Sequence, residues 1–237
     1  MIMYYFNKLL FLILGLILLT SCDCIEGEGP SVSETRNVSD FDAIEVEASA
    51  NVFITKSDNF ELKVKGQQNI LDILRTRLRG RTLVIEYDET CVMNTRKLDI
   101  FISMPEITEI QIDGSGDVES DDVFTTQELY LGVSGSGSIN LDINATRIEA
   151  EISGSGSIFL AGKTDRFSSS IRGSGDIKAD RLKAERAKVH IGGSGSTYVY
   201  AVDDLDASIS GSGNVHYSGD PTINTKINGS GEVRKIR

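Results

Sequence analysis

The chain has 237 residues, of which 40% are hydrophobic and 25% charged, so its composition is that of a folded protein. Acidic residues outnumber basic ones by 35 to 24, for a formal net charge of −11. This argues against nucleic-acid binding, which needs a basic surface to neutralise phosphates. With two histidines and three cysteines, most zinc and haem arrangements are excluded, and we predict no metal and no cofactor.

Residues 1–21 are typical of a secretory signal peptide. Lys8 precedes an apolar run from Leu9 to Leu19, which is too short to span about 30 Å of hydrocarbon. The aliphatic residue and two small residues before Cys22 resemble the lipobox of bacterial lipoproteins, whose cysteine is acylated. An ordinary signal peptide cleaved near a cysteine is the alternative. We therefore expect a lipid anchor at Cys22 in an envelope membrane, with the outer membrane as the expected site and its face left open.

We expect residues 22–37 to form a tether between the anchor and the folded domain. The stretch Asp23–Pro30 within it is acidic and contains glycine, so it should be mobile. The remaining cysteines are Cys24 and Cys91. An oxidising envelope permits a disulfide between them, and the sequence alone does not decide between that bridge and two free thiols.

An internal repeat dominates residues 38–237. Gly-Ser-Gly occurs seven times at nearly regular spacing, with an aliphatic residue two positions before each triplet. The glycines that we expect to form structural turns are Gly114, Gly116, Gly135, Gly137, Gly154, Gly156, Gly173, Gly175, Gly193, Gly195, Gly211, Gly213, Gly229 and Gly231.

The residues around each triplet alternate between apolar and polar, as from Ile148 to Leu160. Strict alternation indicates a strand with one buried face, so we expect both glycines to point inward and the serine outward. A unit of about 19 residues is one coil of a solenoid, whose strands pair in parallel with neighbouring coils about 4.8 Å away. The sequence therefore predicts an all-β, parallel β-helix-like solenoid.

Two parts of this domain differ in regularity. Residues 111–237 hold the regular coils, and residues 38–110 hold degenerate ones, in which Val46–Val52 has alanines in place of the glycines. The stretch between this copy and Gly114 has room for three more coils, and we expect it to cover one end of the solenoid. Its predicted elements are strands at Phe60–Lys65, Leu83–Tyr87 and Leu98–Ser103 and a short helix or turn within Ile70–Arg79.

Phe41–Val46, Leu83–Ile85 and Ile112–Val118, with the later triplets, resemble the head GIN domain family, also called putative auto-transporter adhesin. That family consists of bacterial envelope proteins, common in Bacteroidetes. The resemblance covers about residues 38–235 and implies a β-helix-like fold and a surface role. It brings no catalytic or binding residues to carry over.

No catalytic constellation is apparent. Polysaccharide lyases and glycosidases on β-helices need paired carboxylates, and the candidates here are Asp113, Asp117 and Asp176, with Arg172 as a base. Asp113 and Asp117 flank one triplet, and Arg172 and Asp176 flank another. If the coils stack in register, these two pairs would lie roughly 15 Å apart along the axis, which is too far for direct cooperation. We interpret them as a solvated polar edge.

Other candidate sites are weaker. The stretch Gly192–Ser196 resembles the repeated Gly-Gly-x-Gly-x-Asp pattern of calcium-binding β-rolls. Thr197 occupies the position where that pattern needs an aspartate, so we predict no calcium site. His190 and His216 are interpreted as ordinary strand residues. The aromatic residues near the triplets either stack on a glycan or pair across strands, and these residues are Phe159, Tyr198, Tyr200 and Tyr217.

Together these features predict a non-catalytic, lipid-anchored binding or structural module of the cell envelope, adhesin-like, with a glycan or a surface protein as ligand. The alternative is a carbohydrate-active enzyme on a β-helix. An enzyme should have a deep groove with converging carboxylates, whereas a module should have a shallow, uniform face.

Overall fold

The computed structural model describes residues 24–88, 91–93 and 95–236. The described chain is nearly all β, and its parallel coils stack into a solenoid of about 7 turns roughly 19 residues apart. The predicted all-β class and parallel solenoid are confirmed. The predicted signal peptide and Cys22 lie outside the described residues.

Each complete regular coil is one long bent strand that is interrupted at a Gly-Ser-Gly triplet. All pairings between these coils are parallel. The strands are β10 (Glu109–Gly114), β11 (Asp117–Gly135), β12 (Ser138–Gly154), β13 (Ser157–Gly173), β14 (Asp176–Ile191), β15 (Ser196–Gly211), β16 (Asn214–Ser218), β17 (Thr222–Gly229) and β18 (Glu232–Lys235).

Coils of different length stay aligned because their extra residues lie away from the triplets. Register shifts fall between Glu119 and Val123 in β11 and between Ala179 and Lys183 in β14. The first glycines remain in register, as Gly135 does with Gly154. The triplets therefore form a straight glycine ridge along the axis, and side chains on both sides of this ridge lie in columns.

The two glycines of a triplet differ in role. In the first six copies the second glycine is buried and the first is half-buried, and in six of the seven copies the first has a φ between 133° and 141°. The prediction that both glycines continue the inward phase of a strand is therefore wrong for the first one. The backbone turns there, in a conformation that side chains with a Cβ rarely adopt.

The core consists of inward-facing aliphatic columns. The column just before the glycine ridge is almost wholly buried and contains Ile112, Val133, Ile152, Ile171, Ile191 and Ile209. Full burial of such a side chain stabilises the fold by about 1.5–3 kcal/mol. A single coil cannot bury these residues alone, so stability depends on stacking.

The N-terminal part covers one end of the solenoid, and we call it the cap. Its elements are β1 (Ile25–Glu26), β2 (Ser31–Arg36), β3 (Ala43–Val46), β4 (Asn51–Lys56), β5 (Glu61–Gln67), α1 (Gln68–Ile73), β6 (Leu74–Arg79), β7 (Thr82–Tyr87), β8 (Val92–Met93) and β9 (Asp99–Met104).

The cap does not contain three further sequential coils, so that prediction is wrong. Strands β3 and β4 pair in parallel with β10 and β11, and β7 and β9 stack on their other side. The first coil in sequence thus lies between the second coil and the regular ones. Antiparallel strands β6, β5 and β2 then end the stack, which keeps parallel pairing from propagating at this end.

The three predicted cap strands correspond to β5, β7 and β9. A short helix or turn was predicted within Ile70–Arg79 from the spacing of its leucines, and the observed helix α1 covers Gln68–Ile73. It ends at Ile73, and Leu74 has extended backbone with φ −74° and ψ 120°. The remaining leucine-containing residues form β6, because they pair with β7 instead of continuing the helix.

The expected mobile tether is fixed along most of its length. A disulfide joins Cys24 to Cys91, and β1 pairs in parallel with β8. The amide of Asn69 also binds this segment, since its Nδ2 donates to the carbonyl oxygen of Glu26 at 2.6 Å. Strand β2 then pairs with β5. The composition of the segment suggested mobility, but its backbone groups are bonded to the cap.

Strands β17 and β18 lie at the opposite end of the solenoid. Ile223 and Ile227 are 40% and 41% exposed there, although they align with the buried Leu205 and Ile209 of the preceding coil. Basic residues Arg234 and Lys235 lie on β18, where their charge discourages the addition of a further strand. Within the described part of the chain, no helix is long and apolar enough to cross a membrane.

Candidate functional site

Two of the carboxylates considered for catalysis, Asp117 and Asp176, form hydrogen bonds with the residue at the matching position of the next coil. Asp117 accepts a hydrogen bond from Ser138 Oγ at 2.6 Å, and Asp176 accepts one from the backbone amide of Ser196 at 3.0 Å. Both lie just after the glycine ridge, whereas Asp113 lies just before it. Pairing between adjacent coils thus accounts for these groups, and they do not converge on one point.

Arg172, the candidate base, lies on the same side of the glycine ridge as Asp113 but several coils away. Its nearest acidic partner is Glu151, with 3.9 Å between Nη1 and Oε2. Asp113 instead accepts a hydrogen bond from Gln111 Nε2 at 3.2 Å. The candidate residues are therefore not assembled into a catalytic group.

A cluster of carboxylates lies before the glycine ridge near the cap. The pKa of Glu47 is raised, chiefly because the carboxyl is partly desolvated and then because Glu45, Glu86 and Asp113 carry like charge nearby. Ionised Glu47 therefore works against the folded state.

We expect Glu47→Gln to raise the free energy of unfolding at pH 7 by a few tenths of a kcal/mol, within the roughly ±0.5 kcal/mol typical of surface changes. The pKa of Glu47 is higher in the folded chain than in the unfolded one, so its unfavourable effect is absent below the unfolded-state pKa, grows as pH rises above that value and is complete once pH exceeds the folded-state pKa. The gain should therefore vanish below about pH 4. Urea unfolding at pH 7 and pH 3.5 tests this, and an equal gain at both values would contradict it.

Two of the four aromatic candidates, Phe159 and Tyr198, lie in one column just after the glycine ridge, with Lys178 between them. In order along the axis this column contains Phe101, Phe53, Glu119, Asn140, Phe159, Lys178, Tyr198 and His216. The rings of Tyr198 and His216 stack with centroids 4.6 Å apart, and Lys178 Nζ lies 5.1 Å from the centre of the Phe159 ring. These are the cross-strand pairs that the sequence left open as the alternative to a glycan platform.

The other two aromatic candidates lie elsewhere. Tyr217 aligns with buried Val199 and packs against the core. Tyr200 is half-buried and aligns with Lys183 of the preceding coil. His190 lies exposed in a column between Ser170 and Ser208.

Three arginines occupy one outward column in consecutive coils, and we call them the arginine column. Arg147 on β12, Arg166 on β13 and Arg186 on β14 are in register. Adjacent strands lie about 4.8 Å apart, so the three positions span about 10 Å. Glu128 precedes this column and Asp204 follows it, so the positive charge is bracketed by one acid at each end.

The arginines differ in their partners. Arg147 Nη1 lies 2.6 Å from Glu128 Oε1. Among the described residues, no carboxylate forms a salt bridge with Arg166 or Arg186, and both side chains are exposed. Two adjacent guanidinium groups are therefore available to an external anion.

An open groove of about 480 Å³, which we call the arginine groove, runs beside this column. It is lined by five consecutive coils, from Arg147 on β12 to Thr222 on β17. At about 4.8 Å per coil it extends over roughly 19 Å along the axis. Lys188 adds a further positive charge beside Arg186, while buried Phe167 contributes to the floor.

These arginines were not among the residues predicted from the sequence, although the repeat carries a signal for them. Arg147 and Arg166 occupy the same position relative to the first glycine of the preceding triplet, and Arg186 is displaced from that position by one. Reading the repeat for polar as well as apolar residues would have found the column.

Metal-binding residues are not grouped in the described ranges, where no cluster of three or more histidine, cysteine, aspartate or glutamate side chains could hold an ion. In the triplet considered for calcium, Gly192 is exposed and Thr197 is buried in the core. The Ser196 amide donates to Asp176 of the preceding coil instead of lying free in a calcium loop.

A family model matches the part of the chain that contains these features. Residues 40–221 match the family model described as putative auto-transporter adhesin, head GIN domain. The chain belongs to this family. The match runs from just before β3 of the cap to just past the end of β16, so the head GIN domain includes the arginine column and most of the glycine ridge. The resemblance inferred from the residues is confirmed.

Solved structures share this architecture. A protein from Bacteroides fragilis described as a putative adhesin is 25% identical, with a TM-score of 0.85 over 90% of this chain and 100% of its own. A protein from Parabacteroides distasonis described as a putative lipid binding protein is 28% identical, with a TM-score of 0.76 over 91% of this chain and 100% of its own. A further putative adhesin from the same species is 25% identical, with a TM-score of 0.70 over 90% and 100%.

These relatives are described as adhesins or binding proteins. They support a non-catalytic binding role for the head GIN domain, and the family description indicates the cell envelope or surface. No curated protein sequence matches the chain.

Proposed function

We propose that this head GIN domain is a lipid-anchored, adhesin-like binding module of the bacterial outer membrane, which presents columns of side chains to a glycan or a surface protein. The observation that carries the proposal is the stacking itself. Because the glycine ridge keeps successive coils in register, one type of side chain can recur about every 4.8 Å along a rigid rod. Many weak contacts to a repetitive ligand would then add through multivalency.

The position of the cap supports anchoring by that end. Cys24 is tied to Cys91, which lies in the segment between β7 and β9, the outermost parallel coil of the cap. Cys22 lies two residues earlier, and two extended residues reach at most about 7 Å. A lipid at Cys22 would hold the cap close to the membrane and leave the C-terminal coils farther out.

The enzyme alternative receives no support from the candidate carboxylates. Asp117 and Asp176 are hydrogen-bonded to neighbouring coils, and Asp113 lies on the other side of the glycine ridge. The arginine groove is open and extended, which suits binding along a chain.

Replacing Cys22 by alanine should abolish incorporation of radiolabelled palmitate in cells that express the full chain, because acylation requires that thiol. The matched control is the double variant Cys24→Ser/Cys91→Ser, which removes the other two cysteines and should keep the label. Undiminished labelling of Cys22→Ala would overturn the anchor.

Exposure at the cell surface needs a separate measurement. Protease treatment of intact cells should degrade the wild-type protein if the solenoid faces outward, whereas a periplasmic orientation should protect it until the outer membrane is permeabilised. A periplasmic result would contradict the adhesin-like role and leave the lipid anchor standing.

A further inference from the structure

We propose that the arginine groove binds a linear anionic polysaccharide, with Arg166 and Arg186 contacting its carboxylate or sulfate groups. The inference rests on the proposed binding function and names the ligand class of that function. It differs from the glycan hypothesis based on aromatic residues in both the surface and the chemistry.

The first argument is the local reversal of charge. The whole chain has a formal net charge of −11, yet Arg147, Arg166, Arg186 and Lys188 gather on one groove. Charges farther away than about 8 Å are largely screened at physiological ionic strength, so an anion in the groove responds mainly to the charges that line it. Over β12 to β14 these lining charges are the four basic side chains, of which Arg147 is paired with Glu128, and the acids Asp204 and Asp206 lie on the next coil.

The second argument is that the column places like charges side by side. Arg166 and Arg186 are directly opposite each other on paired strands, an arrangement that disfavours the fold. Within the described residues neither is neutralised by a salt bridge. An anion that bridges the two guanidinium groups would relieve this repulsion.

The side-chain type also matters. Arginine presents a planar set of donors that matches carboxylate and sulfate oxygens in a bidentate manner. Ser168 lies two residues after Arg166 and Lys188 two residues after Arg186, and both line the groove beside the column. They would supply further donors to the same ligand.

The shape of the groove favours a polymer over a compact headgroup. It crosses five coils along the axis and is open to solvent, so an extended chain can lie in it and continue past both ends. Its far end contains Thr222 and Asn224, which suit neutral sugar hydroxyls. Asp204 and Asp206 would repel anions there, so the charged groups of the ligand should lie over β12 to β14.

The test is a binding titration of the full chain, purified in detergent, with polygalacturonate and dextran sulfate as probes and neutral dextran as the uncharged control. The test variant is Arg166→Gln/Arg186→Gln. Its matched control is Lys163→Gln/Lys183→Gln, which removes the same charge from the same two strands, also at an in-register pair, but from a different groove.

We expect the arginine double variant to bind at least one anionic probe about tenfold or more weakly, since each lost charge-assisted contact contributes on the order of one decade. The lysine control should change affinity by less than about threefold, as expected for a nonspecific change of net charge. Equal losses in both variants, no loss in the arginine variant, or equal binding of neutral dextran would overturn the proposal.

Two further measurements keep the outcome clear. If the glutamine variant does not fold by circular dichroism, Arg166→Lys/Arg186→Lys takes its place, and unchanged affinity in that variant would contradict bidentate recognition. Vesicles containing phosphatidylglycerol form the second arm, and a loss of binding confined to vesicles would overturn the polysaccharide in favour of a lipid surface. Palmitate labelling and surface exposure do not enter these titrations, so failure of the anchor and failure of the ligand are distinguishable.

Discussion

Gly193→Ala should lower the free energy of unfolding by about 3 kcal/mol, whereas Gly192→Ala, one position earlier, should be nearly neutral. A Cβ at Gly193 would lie 2.2 Å from the carbonyl oxygen of Gly173 and 2.9 Å from its nitrogen. At Gly192 the nearest atom is the carbonyl oxygen of Ile171, at 3.7 Å. The effect expected for Gly193 is at the upper end of the overpacking range, because the obstructing atoms are backbone atoms held in the ladder.

Comparing Gly192→Ala with Gly193→Ala distinguishes a clash between neighbouring coils from strain caused by the backbone φ of the substituted residue. Neither glycine has the positive φ found at most first glycines of the triplets, so an alanine is not strained by its own φ at either position. Gly192→Ala can even stabilise the chain by about 0.4–1 kcal/mol through the unfolded state. Urea unfolding followed by circular dichroism measures both variants, and a similar loss in the two would mean that the coils are not in close backbone contact at the glycine ridge.

The repeat made the regular coils predictable. Spacing and parity specified parallel stacking because an inward position, such as Ile152 or Ile171, becomes fully buried only when further coils stack above and below it. The corner itself was less predictable. Alternation alone cannot show that the backbone turns at Gly154, where φ reaches 140°.

The alanine copy of the corner shows why the cap was harder to predict. At Gly116 a Cβ would lie 3.1 Å from the carbonyl oxygen of Ala48, compared with 2.2 Å between successive triplets at Gly137. A Cβ at Gly116 would therefore be less obstructed than one at Gly137, so the alanine copy and the first triplet are less tightly opposed than two successive triplets. On the side away from the regular coils, the alanine copy packs against the segment between β7 and β9. The local sequence of the alanine copy does not indicate which later strands will pair with β3 and β4.

The candidate site depends on register, which explains why sequence alone did not assemble it. Arg186 aligns with Arg166 only because β14 accommodates an extra residue at the irregularity opposite Phe159 and Ala161. Likewise, the outward phase of Tyr198 was readable from the triplet, but its stacking on His216 depends on the pairing of β15 with β16. Alternation shows which side a residue faces and leaves its neighbours in other coils undetermined.

Phe167→Ala should lower the free energy of unfolding by about 3–5 kcal/mol, the range for removing a buried aromatic ring. Phe167 is 2% exposed and lies in an inward column between Ile148 of β12 and Ala187 of β14. Its matched control is Phe159→Ala on the same strand. That ring is half-buried in the outward column and should contribute less than about 1 kcal/mol.

The neighbour of Phe167 offers a sharper version of the same experiment. Ala187 is in register with it on the next coil, so a large and a small side chain share one layer of the core. The exchange Phe167→Ala/Ala187→Phe conserves the volume of that layer and should recover at least half of the stability lost in Phe167→Ala. If the double variant is as unstable as the sum of its two single variants, the two positions do not share space, and the column arrangement on which the arginine groove also depends would be wrong.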